Sequence, residues 1–156
     1  MTKPIPDGYH AITPYLIVSG GAKALEFYAR AFGAIERERM QDASGKIRHA
    51  EISIGDSRVM LADEHPEIDA LGPATIGGSP VSIHLYVEDV DAVTDLAIAA
   101  GATVLRPVKD QFYGDRSGTV ADPFGHIWHI ATHKEDLSPD ELNKRVAAAV
   151  AQHGAD

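Results

Sequence analysis

At 156 residues, 44% of them hydrophobic and 24% charged, the chain has the size and composition of one globular domain with a real core. A formal charge of −9 argues against a nucleic-acid partner, which would need a clustered basic face, and zero cysteines exclude disulfides, thiolate nucleophiles and thiolate metal sites. No apolar run approaches the roughly 20 residues of a membrane span, and the opening MTKPIPDGYH lacks the apolar core of a signal peptide, so a cytoplasmic protein without a membrane partner is expected.

Taken in order, Ile12 to Val18 is a β-rich run containing Pro14, which predicts a strand near an edge or a bulge. Gly20-Gly21 breaks it. Ala24, Leu25, Tyr28 and Phe32 recur at helical spacing and predict a helix over Ala22 to Phe32, ended by Gly33. Ile35 to Gln41 reads as a polar strand and Asp42 to Gly45 as a turn. Ile47 to Ile54 alternates cleanly, with Ala50, Ile52 and Ile54 on one face and His49, Glu51 and Ser53 on the other. Arg58 to Ala62 is the next strand. From Asp63 to Pro80 the chain is rich in proline and glycine and reads as a linker or flexible loop.

A second cycle follows: a strand at Val81 to Val87, a helix at Val90 to Ala100 ended by Gly101, and a strand at Val104 to Val108. Ser117 to Ala121 and His126 to Thr132 are strands joined by the turn Asp122-Pro123-Phe124-Gly125, in which Pro123 presets φ and Gly125 tolerates a positive φ. In the last strand Trp128 and Ile130 suit a packed face, which turns Ile127 and His129 the other way. A helix over about 138–152 closes the chain. Ser138 stands at its N-cap, Pro139 at the first position and Glu141 where a capping box needs it. Leu142, Val146 and Val150 form a stripe able to dock on the body or on a second subunit.

The two cycles repeat. Thr13 aligns with Ser82 at an offset of 82 − 13 = 69, and Gly33 with Gly101 and Gly55 with Gly125 fall within one residue of that offset. The expected fold is therefore α+β, two βαβββ modules (about 10–63 and 81–133, joined by 64–80) with helices on one face of a curved sheet and a cleft on the other.

In its motifs the chain resembles the vicinal oxygen chelate superfamily, the glyoxalase/bleomycin resistance/dioxygenase type. The resemblance rests on Phe27-Tyr28 before Gly33, Val87-Glu88-Asp89-Val90-Asp91-Ala92, and Asp122-Pro123-Phe124-Gly125. Within it, His49-Ala50-Glu51, Met60-Leu61-Ala62-Asp63 and Tyr113-Gly114-Asp115-Arg116 are similar to the PhnB-like branch. The resemblance implies a cup-shaped mixed sheet and a homodimer. In metal-dependent members it implies a His or Glu on the first and last strand of each module, positions that fall here on Thr13, Met60, Ser82 and His129. Only His129 is a good ligand, so the usual quartet is not preserved and no cofactor is assigned.

By alternation the cleft face carries His49, Glu51, His84, Tyr86 and His129. Four of these, His49, Glu51, His84 and His129, are the catalytic candidates, because a neutral imidazole beside a carboxylate is a workable general base. Glu51, His84 and His129 also have suitable chemistry for a rebuilt divalent metal site with Zn²⁺, Mn²⁺, Fe²⁺ or Ni²⁺. A structural reading stands beside the catalytic one, since strand histidines are commonly satisfied by hydrogen bonds. Tyr15, Tyr86, Tyr113, Asp115 and Arg116 are the substrate-binding candidates, Tyr113 by stacking and Arg116 by gripping a carboxylate or phosphate-like group. For Asp115 and Arg116 the plainer alternative is a surface loop that satisfies itself. Asp63-Glu64-His65 reads as a solvated loop. Two functions fit these residues: a lyase- or isomerase-type enzyme acting on a small carbonyl or epoxide compound, and a binder that sequesters a drug or secondary metabolite.

Overall fold

The computed structural model describes residues 1–153, so the last three positions of the single-domain span lie outside the described residues. Its elements run β1 (Tyr15–Val18), α1 (Gly21–Phe32), β2 (Ile35–Gln41), β3 (Ile47–Ile54), β4 (Ser57–Asp63), α2 (Pro73–Ile76), β5 (Ser82–Tyr86), α3 (Val90–Ala100), β6 (Thr103–Asp110), β7 (Asp115–Ala121), β8 (Ile127–His133) and α4 (Pro139–His153). The βαβββ order therefore occurs twice. Each module builds its own four-stranded mixed sheet, β1-β4-β3-β2 and β5-β8-β7-β6, in which the first and last strands pair in parallel. The first strand begins at Tyr15 rather than Ile12. Pro14 has no N–H to give to a ladder, though its carbonyl still accepts from Met60 N at 2.9 Å.

The repeat extends to the way each helix is started. Asp63, at the end of β4, accepts the backbone N–H groups of Gly20 and Gly21 on Oδ1, both at 2.8 Å, and that of Ile47 on Oδ2 at 2.7 Å. At the corresponding place in the second module, Thr132 Oγ1 accepts Val90 N at 2.9 Å. Orphan N–H groups of the first helical turn are thus satisfied from the neighbouring strand. Asp63 belongs to the framework, not to the solvated loop expected of it. The turn residues also behave as their chemistry requires: Gly45 and Gly125 take φ values of 91° and 93° in two Asp-x-x-Gly turns.

Apolar alternation sends Leu16, Val18, Ala50, Ile52 and Leu61 from the first sheet and Trp128 and Ile130 from the second into one core, closed by Phe27 and Tyr28 of α1 and by Val90 and Ala97 of α3. At its centre lies a buried carboxylate. Asp122, 4% exposed, accepts from Tyr28 Oη at 2.5 Å, Trp128 Nε1 at 2.9 Å, and the backbone N–H groups of Phe124 and His126 at 2.9 Å. It is satisfied by four donors, one of which comes from the other module.

The stretch after β4 is more ordered than its composition suggests. It holds a 3-10 turn at Pro66–Ile68 and the short helix α2, and Glu64 ties it down by accepting from Ser19 Oγ and from Thr75 Oγ1. Those hydroxyl donors, Ser19 foremost, hold the Glu64 carboxyl below its usual range. In α4 the Ser138 cap is present, its Oγ accepting Glu141 N at 3.1 Å, while the predicted stripe leaves Val146 and Val150 exposed at 39% and 65%. Among the described residues no helix is long and apolar enough to cross a membrane.

Candidate functional site

Above the second sheet lies a cavity of about 720 Å³, bounded by His84, Arg106, Lys109, Tyr113, Thr119 and His129 among others. Pairing places these groups together. His84 is level with His129 across the parallel β5–β8 ladder, Thr119 is opposite His129 on β7, and Arg106 is opposite Thr119 on β6. The His129 ring is held at both nitrogens by hydroxyls, Nδ1 to Thr119 Oγ1 at 2.9 Å and Nε2 to Ser82 Oγ at 3.0 Å. Because a hydroxyl both donates and accepts, neither tautomer is enforced. Burial, with the His84 and Arg106 charges behind it, lowers the His129 pKa below its ordinary value. The imidazole is therefore neutral near pH 7 and can take a proton.

Arg106 and Lys109 were invisible to strand alternation. Pro107 interrupts β6, and register shifts on either side of Arg106 break the period of two that identifies a face.

Glu51 does not join this group. It lies on the first sheet, where His49 Nε2 is 2.9 Å from Glu51 Oε2 and His49 Nδ1 is 2.9 Å from Tyr15 Oη. The rebuilt metal site of Glu51, His84 and His129 is not assembled: among the described residues, the one set of three such side chains close enough to share an ion is Glu38, His49 and Glu51. The carboxylate that gathers with His49 and Glu51 is Glu38, from β2.

The stretch expected as a loop, Tyr113 to Arg116, divides, and its last two residues open β7. Tyr113 lines the cavity, whereas Arg116 is taken up by Asp91 (2.8 Å) and Asp110 (3.2 Å), and Asp115 is buried beneath Tyr86 Oη (2.9 Å) and His133 Nδ1 (2.7 Å). The expected ligand grip by Asp115 and Arg116 is replaced by internal pairing, and Tyr86 is drawn to Asp115, whose hydrogen bond raises its pKa. His133 also meets Asp136 through Nε2 at 2.7 Å, and the hydrogen bonds to Asp136 and then Asp115 raise its pKa. A raised histidine pKa favours the folded state below the unfolded value of about 6.5, an advantage lost as pH rises through the folded pKa. NMR titration should place His133 above an ordinary histidine, and Asp136→Asn should move it down. An unmoved midpoint would contradict the bridge.

Residues 9–130 match the family described as Glyoxalase/Bleomycin resistance protein/Dioxygenase superfamily. The chain belongs to that superfamily. It is 41% identical over 141 residues to the uncharacterized protein Rv0887c of Mycobacterium tuberculosis, covering 88% of this chain and 83% of that protein. The crystal structure of an Arabidopsis thaliana gene product, AT5G48480, superposes with a TM-score of 0.64 at 27% identity, covering 79% of this chain and 98% of that one. A PhnB protein from Bacillus cereus shares the fold at a TM-score of 0.61 and 18% identity, over 79% and 99% of the two chains.

Members of the superfamily that use a metal are expected to ligate it from the first and last strands. Of the four positions Thr13, Met60, Ser82 and His129, the structure brings Ser82 and His129 together, Ser82 Oγ lying 3.0 Å from His129 Nε2. Thr13, Met60 and Ser82 are poor ligands beside a single imidazole, and a divalent site needs about three protein ligands. The inherited quartet does not fit a metal.

Proposed function

We propose that the protein binds a small anionic carbonyl or epoxide compound in the cavity over the second sheet and moves a proton on it, in a lyase- or isomerase-type reaction. The observation that carries this reading is His129, a neutral imidazole in the cavity wall with two cationic side chains on the same face. Arg106 and Lys109 would engage the anionic group, Arg106 by a planar two-point contact. His129 would take the proton next to the carbonyl, or from a water opening the epoxide, and Thr119 and Ser82 would hold the ring through either tautomer.

A test is hydrogen–deuterium exchange at the carbon beside the carbonyl, followed by NMR over a panel of small 2-oxo and epoxy acids. Arg106→Ala should weaken binding about tenfold or more, as loss of a charge-assisted bond of some 1.5–3 kcal/mol requires. His129→Ala should keep binding but lose exchange by roughly 10²-fold or more. Exchange at the wild-type rate in His129→Ala would remove the base from the proposal. Tyr113, 40% exposed at the cavity, favours a second reading, sequestration by stacking. Tight binding of an aromatic compound without exchange in any panel member would support it.

A further inference from the structure

The geometry points to a divalent-cation site formed by Glu38, His49 and Glu51 on the first sheet, independent of the cavity over the second. One ligand atom from each of the three side chains lies within 4.8 Å of the others. That spacing is close enough for an ion at the 2.0–2.2 Å typical of imidazole and carboxylate ligands, after a small side-chain adjustment.

Three further observations separate this cluster from an ordinary solvated patch. Glu38 is directly opposite Glu51 across the antiparallel β2–β3 pair, an arrangement of like charges that destabilises a sheet unless something neutralises it. Among the described residues neither carboxylate has a lysine or arginine partner. The arginines flanking Glu38 are turned to other acceptors, Arg37 to Ser53 Oγ and Arg39 to Glu36. Finally, His49 and Glu51 are largely enclosed, with side chains 16% and 15% exposed, and the His49 ring is fixed from behind by Tyr15.

That last contact is the support a metal-bound histidine needs. With an ion on Nε2, the ring carries its proton on Nδ1 and donates it to the Tyr15 oxygen, which sets the tautomer and the ring plane. Glu51, already 2.9 Å from Nε2, supplies the second ligand, and Glu38 closes from the exposed side. One nitrogen and two carboxylates suit Zn²⁺, Mn²⁺ or Fe²⁺ rather than a soft ion. Three protein ligands leave coordination positions to water. Without an ion, the His49–Glu51 pair still holds together and Glu38 remains an unpartnered charge facing another carboxylate.

The experiment is calorimetric titration of the untagged, chelator-stripped full chain with Zn²⁺ and with Mn²⁺, alongside thermal melting. The expected result is one ion per chain and a melting temperature that rises with its concentration. Glu38→Gln, which alters an exposed side chain and should leave the circular dichroism unchanged, is expected to abolish stoichiometric binding, as is His49→Gln. Tyr15→Phe keeps all three ligands and should weaken binding roughly tenfold or more through loss of the ring's support. His129→Ala should bind as wild type does. The inference is overturned if neither ion binds at millimolar concentration, if Glu38→Gln binds normally, or if His129→Ala is the variant that fails. Because His129 is the base in the proposed reaction and lies outside this cluster, failure of either idea leaves the other standing.

Discussion

Asp122→Ala is expected to lower stability by about 3–5 kcal/mol, because it leaves several buried hydrogen-bond donors without an acceptor at once. Alanine leaves four donors without their acceptor. Two of them, Tyr28 Oη and Trp128 Nε1, belong to side chains 0% and 1% exposed, so water cannot replace the lost bonds without opening the core. Each stranded buried donor costs roughly 1–3 kcal/mol, which makes the lower end of the range a cautious figure. At roughly 2–4 °C per kcal/mol for a chain of this size, the melting temperature should fall by some 10 °C. Urea unfolding followed by Trp128 fluorescence measures the change directly. A loss below about 1 kcal/mol would mean that the carboxylate contributes little beyond turn geometry.

Gly21→Ala should be nearly as damaging, and for a different reason. A Cβ at residue 21 would lie 2.7 Å from both Ile47 Cβ and Ile47 Cγ1, and 2.9 Å from Asp63 Oδ2. Ile47 is fully buried and cannot swing aside. The carboxylate is the one that binds Gly20 N, Gly21 N and Ile47 N, so any shift that relieves the clash loosens the start of α1. Overpacking costs about 1–3 kcal/mol, and weakening hydrogen bonds to a charged group adds some 1.5–3 kcal/mol. Because one clashing atom is the Ile47 Cβ itself, trimming that side chain does not help, and Gly21→Ala/Ile47→Ala should be no more stable than Gly21→Ala. Recovery in the double variant, read from the urea midpoint, would show that the crowding lies farther out on the side chain.

The architecture was legible because its signals are local. Alternation in Ile47 to Ile54, helical spacing from Ala24 to Phe32, and the Asp-Pro-Phe-Gly turn each specify a short stretch, and the repeat then supplies the way the stretches combine. The facing of Trp128 and His129 was also readable, because a period of two sorts side chains without reference to other strands. What the sequence does not carry is which strands meet. Glu51 and His129 belong to separate sheets, and alternation along a single strand carries nothing about where the other sheet falls. Glu38 entered the candidate cation site through its register with Glu51, and Arg106 reached the cavity wall across two irregularities in β6. Arg116 looked available for a ligand because its partners, Asp91 and Asp110, come from α3 and β6.

The contact between Tyr28 and Asp122 is one-sided. The position matching Tyr28 in α3 is Ala97, too short to reach across, so this bond between the duplicated modules is one that only one copy can make. Descent from a common unit has therefore left a shared interior but no obligation to keep the outer surfaces alike. One face could gather acidic side chains around His49 while the other gathered basic ones around His129. A substitution suited to either face can spread without disturbing its counterpart, which is how a duplicated fold acquires two unlike surfaces from one inherited plan.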